Sequence, residues 1–175
     1  MTLQRIMGID PGTARLGYAL VDFDPSSNKQ ALVDCGIIET QKDLSQALRL
    51  KEIRADLSIL IEEYQPQVFA VEQLFFFKNP KTIVPVAQAR GVILEVAATN
   101  GLEVFEYTPL EMKKIITGHG MAEKSLVSTM IHNEFKLTEQ IKPDDAVDAI
   151  GMALSYIRQD MPSLRAALAT KQSNA

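Results

Sequence analysis

The sequence predicts an α/β fold in which a five-stranded mixed sheet carries helices on both faces. Three short apolar stretches near the N-terminus are separated only by turns, which is typical of an antiparallel meander. A continuous apolar run at residues 68–72 follows a stretch of helical periodicity, as expected of a buried strand reached by a helical crossover. The rest of the chain adds one strand and further helices, so the predicted order is β-β-β-α-β-α-β-α-α-α.

The meander is predicted from apolar segments bounded by turn residues. Its three strands are expected at residues 4–9, 17–23 and 31–39. The first strand should end at Asp10, because the Pro11 and Gly12 that follow are turn residues.

The first crossover is predicted as a helix whose apolar residues recur with helical spacing over residues 50–64. Asp43, with Gln46 three residues later, resembles a capping box and is expected to begin this helix. The run at residues 68–72 then ends in an acid, Glu72.

The second half of the chain is predicted to be mostly helical. Helices are expected at residues 82–100, 110–117, 123–135 and 144–159, and a fifth strand at residues 103–107. Pro85 is expected in the first turn of its helix, where proline is tolerated. We expect residues 1–160 to form one folded domain and residues 161–175 a C-terminal tail that is partly disordered.

Composition bounds the class of protein. Of 175 residues, 46% are hydrophobic, which is enough for one globular domain with a sizeable core. Cys35 is the single cysteine, so no internal disulfide can form, and no apolar stretch reaches the roughly 20 residues needed to span a bilayer. A cytoplasmic protein without a membrane partner is therefore expected. The net charge of −4 gives no support for a nucleic-acid partner.

Two acids follow strands that are expected to be central. Asp10 ends the first strand and Glu72 ends the fourth. Ligands of open α/β sheets bind beyond the carboxyl ends of the strands, so both acids are expected at one edge of the sheet.

The helix at residues 144–159 supplies two more acids. Asp145 and Asp148 lie one turn apart on the flank of its apolar stripe, where they can lean over the edge of the sheet. Asp144 is explained by the helix dipole, and Asp145 alone could be explained in the same way. Asp148 lies beyond the capping positions, which favours a functional role for the pair.

Four clustered carboxylates indicate metal-assisted phosphodiester hydrolysis. Two divalent ions about 3.5–4 Å apart stabilise the attacking and leaving oxygens of such a reaction. Magnesium prefers oxygen ligands, so neither histidine nor cysteine is required. Without metal the four acids, Asp10, Glu72, Asp145 and Asp148, would repel one another, so stability alone does not explain them.

The sequence also resembles the RuvC family of Holliday-junction resolvases, which are crossover junction endodeoxyribonucleases, over residues 6–156. The resemblance is carried by motifs in family order: Gly8-Ile9-Asp10-Pro11-Gly12 with Gly17-Tyr18, Val71-Glu72-Gln73 with Phe75 and Asn79, Gln88-Ala89-Arg90-Gly91, Tyr107-Thr108-Pro109, Lys113, Ala122-Glu123-Lys124, and Asp144-Asp145-Ala146-Val147-Asp148-Ala149.

This resemblance implies an RNase H-like fold and a homodimer that nicks four-way junction DNA symmetrically, in recombination and repair. It implies two magnesium ions per active site, for which manganese would substitute, bound by Asp10, Glu72, Asp145 and Asp148. It also implies a RuvAB branch-migration complex as partner.

The helix at residues 82–100 is the predicted dimer interface, because small residues there would let a second copy approach closely and apolar residues would supply contact surface. The small residues are Ala87, Ala89 and Gly91, and the apolar ones are Val86, Ile93 and Leu94.

Family positions further imply three DNA contacts. Lys113 and Lys124 match residues near the scissile phosphate, and Phe75 matches an aromatic residue that stacks on an exposed base. Arg15 and Arg90 could contact phosphate or pair with acids, and the sequence leaves both readings open.

Three alternatives remain at this point. The Asp10-Pro11-Gly12-Thr13 segment also resembles the first phosphate loop of actin-like ATPases, of which this chain would be a fragment. A nuclease of the same fold could act on RNA processing intermediates. A binding module with a decayed nuclease fold is a third, although all four acids are present.

Overall fold

The structure is a computed structural model that describes residues 3–73 and 80–173, and the side chains of residues 3–73 and 83–161. Within these residues the elements follow the predicted order. They are β1 (Gln4–Asp10), β2 (Arg15–Asp24), β3 (Lys29–Glu39), α1 (Gln46–Tyr64), β4 (Val68–Glu72), α2 (Pro80–Thr99), β5 (Glu103–Tyr107), α3 (Pro109–Thr117), α4 (Lys124–Phe135) and α5 (Asp144–Ser173).

The five strands form one mixed sheet in the order β3-β2-β1-β4-β5. Strands β1, β2 and β3 pair antiparallel, which confirms the predicted meander. Strands β4 and β5 run parallel to β1, so the carboxyl ends of β1, β4 and β5 meet at one edge.

Two hydrophobic clusters separate the helices onto the two faces of the sheet. Because strand side chains alternate, Ile6 packs beneath α3, α4 and α5, whereas Met7 and Ile9 pack against α1 and α2. The same alternation places Gly8 and Asp10 on the face that α5 covers.

Two glycines let α5 lie directly on the sheet. A Cβ on Gly8 would come within 1.9 Å of the Ala149 carbonyl oxygen, and one on Gly17 within 2.1 Å of the Asp145 carbonyl oxygen. Backbone contact at these two points fixes where the first turns of α5 sit. Those turns carry Asp145 and Asp148.

The starts of α1 and α2 differ from the sequence prediction. Ser45, and not Asp43, is the N-cap of α1, and its hydroxyl accepts a hydrogen bond from the Leu48 amide. The capping-box interpretation of Asp43 is therefore wrong. Helix α2 begins at Pro80, so Pro85 lies in its second turn and not in its first.

Helix α5 is longer than predicted. It spans 30 residues and passes through Pro162 to Ser173, whereas the apolar stripe predicted an end at Gln159. The division into a domain and a partly disordered tail at residue 160 stays a prediction. Even with this length, none of the described helices has the apolar stretch required to cross a membrane.

Candidate active site

Strand register brings Asp10 and Glu72 together. Ile9 on β1 is paired with Val71 on the parallel strand β4, so the two acids that follow stand side by side. Both acids belong to the α5 face of the sheet, since Ala70, two residues before Glu72, packs in the same cluster as Ile6. The carboxyl edge of the sheet therefore presents two adjacent carboxyl groups to the start of α5.

Helix α5 adds the other two acids. Gly17 is the antiparallel partner of Asp10, and the Asp145 backbone lies directly over Gly17. The apolar stripe beneath the acids is buried as predicted, with Ala146, Ala149 and Ile150 fully inaccessible to solvent.

The electrostatics of Asp10 record the proximity of all four acids. The pKa of Asp10 is raised far above its usual value, first by burial and then by a hydrogen bond with Glu72. The negative charges of Glu72, Asp148 and Asp145 raise it further. Asp10 is therefore a neutral acid in these surroundings, and a bound cation would lower its pKa again.

Two basic side chains partly neutralise the acids of α5. The Lys124 ammonium donates a hydrogen bond to Asp148 Oδ2 at 2.8 Å, and Arg15 Nη1 lies 3.7 Å from Asp145 Oδ2. Burial lowers the pKa of Lys124, but the hydrogen bond to Asp148 and nearby carboxylates outweigh it, so the pKa of this lysine is raised. Lys124 was predicted as a DNA contact, and Arg15 was left open; the acid pairing of Arg15 is the one observed.

A tight turn holds Arg15 beside the acids. A Cβ on Gly12 would stand 2.0 Å from the Arg15 carbonyl oxygen, so this close approach needs glycine. Thr40, which is 3% exposed, donates its hydroxyl to the Thr13 carbonyl at 2.6 Å and its amide to the Ala14 carbonyl at 3.1 Å. Sequence reasoning missed Thr40, because a threonine that follows a strand carries no local signal of a contact 27 residues away.

The donor set fits a hard divalent cation, although its side chains are not yet arranged around one. Among residues 3–73 and 80–173, no three acid, histidine or cysteine groups surround a common metal position. The ion pairs give the reason, since Asp145 is turned toward Arg15 and Asp148 toward Lys124. Side-chain rotation would free carboxylate oxygens, which magnesium prefers as ligands.

The other two predicted DNA contacts have separate outcomes. Lys113 is half-buried in α3, the helix that follows the carboxyl end of β5, and within the described part of the chain it forms no ion pair with the four acids. Phe75 lies outside the described residues.

The other open arginine lies on the opposite face of the sheet. Arg90 of α2 pairs with Glu106 of β5. This ion pair joins a helix and a strand and does not include any of the four acids.

The fold and the acids together define a class of protein. A mixed sheet of this strand order, with carboxylates gathered where its parallel strands end, is the architecture of RNase H-like nucleases. Solved structures agree with this class: the chain matches a Thermus thermophilus RuvC structure with a TM-score of 0.83 and 27% identity, over 93% of this chain and 97% of that one.

More specific matches identify the family. The family model described as crossover junction endodeoxyribonuclease RuvC matches residues 6–156. A crossover junction endodeoxyribonuclease RuvC from Fusobacterium nucleatum is 44% identical over 153 residues, which cover 87% of this chain and 80% of the relative. A structure of T. thermophilus RuvC in complex with Holliday junction substrate matches with a TM-score of 0.84 and 28% identity, over 91% of this chain and 96% of that one.

The chain belongs to the RuvC family of crossover junction endodeoxyribonucleases, which are metal-dependent enzymes. These matches do not favour an actin-like ATPase fragment or a nuclease that acts on RNA processing intermediates.

Proposed function

We propose that this protein resolves four-way DNA junctions by paired nicks, and that Asp10, Glu72, Asp145 and Asp148 hold the magnesium ions of its active site. One observation supports the assignment: Asp10 and Glu72 end adjacent strands beneath the start of α5, where the negative charges of Glu72, Asp148 and Asp145 raise the pKa of Asp10. Such a cluster is costly without a cation, whereas a nuclease site needs it.

The four carboxylates supply oxygen ligands for two magnesium ions, with manganese as a substitute. When bound, the ions would activate water and stabilise charge on the attacking and leaving oxygens of the phosphodiester. Asp10 must lose its proton to become a ligand, and the positive field of the ions favours that loss.

Basic residues complete the proposed site. Lys124 and Arg15 neutralise Asp148 and Asp145 in the structure. With metal bound to the acids, the side chains of Lys124 and Arg15 would be free to contact a phosphate of the DNA strand. Lys113 is proposed as a further phosphate contact near the reaction, and Phe75 as the residue that stacks on an exposed junction base.

A homodimer is proposed because one active site cuts one strand. A two-fold dimer matches the approximate two-fold symmetry of a four-way junction and places one site at each of two opposing strands. We also propose, from the family, a cytoplasmic location and work beside a RuvAB branch-migration complex.

The decisive experiment replaces one acid without changing its shape. Asp145→Asn should retain junction binding and lose cleavage by more than about 100-fold, since even outer-shell partners of a metal ligand typically contribute 10–100-fold. Binding is measured by gel shift in calcium, and cleavage by release of labelled strands from a synthetic junction in magnesium.

Asp144→Asn is the matched control for this experiment. Asp144 is the adjacent acid and the first residue of α5, but its side chain is exposed. The control should therefore keep most of the cleavage. Near-normal nicking by Asp145→Asn would remove Asp145 from the metal site.

A further inference from the structure

The imidazole of His132 bridges α4 to the segment that leads into α5. Nδ1 lies 2.8 Å from the Ser128 carbonyl oxygen, one turn earlier on the helix, and the Ile141 backbone nitrogen lies 3.2 Å from Nε2. The ring is half-buried between these partners.

These partners fix the state of the ring. A peptide carbonyl can only accept a hydrogen bond, so Nδ1 must carry the proton. A peptide N–H can only donate, so Nε2 must be the acceptor. The neutral imidazole with its proton on Nδ1 therefore satisfies both contacts at once. A leucine in place of His132 could make neither contact, whereas a glutamine could still accept a hydrogen bond from the Ile141 amide.

The bridged segment positions the catalytic end of α5. Ile141 is partly buried against the core, and Asp145 follows it by four residues. The preceding part of the segment is also held by α4, because the Leu137 amide donates to the His132 carbonyl at 2.9 Å. At its other end, α4 contacts α5 through Lys124 and Asp148. Helix α4 therefore contacts this region twice. Lys124 at the start of α4 holds Asp148, and His132 near the end of α4 holds the segment that leads into α5.

We propose that His132 is a positioning residue for Asp145 and Asp148, which acts by fixing the segment before α5 through the Ile141 amide. The inference rests on the proposed metal-binding role of these acids. A displacement of about 1 Å at a reacting group can reduce the rate about 100-fold, so a distant tether can control chemistry without touching the substrate.

The test compares two substitutions at one position. His132→Leu fills the space of the ring but leaves the Ile141 amide without an acceptor, whereas His132→Gln keeps an acceptor oxygen at the end of its side chain. Asn133→Ala is the control, since it changes the next residue on the same turn, whose side chain is exposed. Should the leucine variant fail to fold, His132→Asn replaces it. The asparagine amide is one methylene shorter than that of glutamine, so it should not reach the Ile141 amide.

Three quantities are measured for each variant: kcat and KM for a four-way junction in magnesium, and the manganese concentration that gives half of the maximal rise in Tm. We expect His132→Leu to lower kcat about 10- to 100-fold, as outer-shell partners of metal ligands do, with KM for the junction unchanged. More manganese should be needed for half of the rise in Tm. His132→Gln should recover much of both effects, and Asn133→Ala should match the wild type.

A wild-type kcat and manganese response in His132→Leu would overturn the proposal. Equal losses in the leucine and glutamine variants would also overturn it, because the acceptor for Ile141 would then not matter. Absence of junction cleavage by the wild-type protein itself would instead contradict the proposed function, so the two failures are distinguishable.

Discussion

The carboxyl group of Asp10 couples metal binding to the stability of the fold. Its raised pKa means that the folded protein keeps a proton which the unfolded chain has released above about pH 4. Where the folded state binds more protons than the unfolded state, the free energy of unfolding falls as the pH rises. We therefore expect the Tm of the metal-free protein to fall through this group as the pH rises from about 4 toward about 10, the pKa of Asp10 in the folded protein.

Calorimetry with a chelator measures this slope, and Asp10→Asn is the matched variant, because the amide keeps the shape but does not titrate. Its Tm should fall less steeply with pH than that of the wild type. Millimolar manganese should raise the wild-type Tm more at the higher pH, since metal ligands must be deprotonated. Parallel Tm curves for the two proteins, with no manganese effect, would contradict the acid cluster.

The sequence predicted the four acids but not the side chains that contact them. Asp10 and Glu72 could be found because each ends an apolar strand, and Asp148 because a first-turn capping role does not explain it. The pairing of Lys124 with Asp148, the anchor at Thr40 and the bridge through His132 depend on how elements pack. No local pattern encodes those contacts.

The backbone contact between β2 and α5 positions Asp145 in the active site. Gly17→Ala would place a Cβ 2.1 Å from the Asp145 carbonyl oxygen, and backbone cannot rotate away as a side chain can. We expect a loss of stability of at least about 1–3 kcal/mol, typical of overpacking, together with loss of junction cleavage as Asp145 moves. Urea unfolding and the labelled-junction assay measure the two effects.

Gly36→Ala is the matched control for this contact. It lies on β3, where the three atoms nearest to an added Cβ would all belong to the Tyr18 side chain, the nearest at 3.0 Å. A side chain can give way, so the stability loss should be smaller and cleavage should persist. If the two variants behaved alike, direct contact between α5 and the sheet would not be what places Asp145.

Element type was more predictable than element ends. Strand β4 was predicted from the continuous apolar run at residues 68–72 and β5 at residues 103–107, both with their observed bounds. The start of α1 was predicted wrongly, because Asp43 and Ser45 are both good N-cap residues and tertiary packing selects one. The end of α5 was also predicted wrongly. The helix was expected to end at Gln159, before Pro162, but it continues through this proline to Ser173.

For the whole molecule, net charge was a poor guide to function. The chain carries −4 overall, yet Arg15 and Lys124 stand against the acids at the site. A metal site needs carboxylates, which lower the net charge of a protein that must still bind phosphate.

Fewer residues of α2 are available to a dimer partner than the sequence predicted. Ala89 and Ile93 were expected to face a partner, but both are fully buried against the chain's own sheet, so that part of the prediction is wrong. Ala87 is exposed, and Val84 is 61% exposed. Among the described residues, and apart from its own helix backbone, a Cβ on Gly91 would meet no atom within 4 Å. These three residues lie on one stripe of the helix, where a second copy could approach closely.

We expect Val84→Glu to separate the protomers of the proposed dimer. A two-fold axis near α2 would bring two added carboxylates together in a desolvated contact, which is strongly unfavourable. Ile59→Glu is the control, because Ile59 on α1 is 59% exposed and lies on the same side of the sheet but away from this stripe. Sedimentation across a range of concentrations should show a dimer for the wild type and Ile59→Glu, and a monomer for Val84→Glu.

With a junction labelled on each strand in turn, the monomer should lose the coordinated second nick. Its manganese-induced rise in Tm should remain, since each site lies within one chain. A monomeric wild type, or paired nicks at unchanged rates from a monomeric Val84→Glu, would show that α2 does not bring two active sites to one junction.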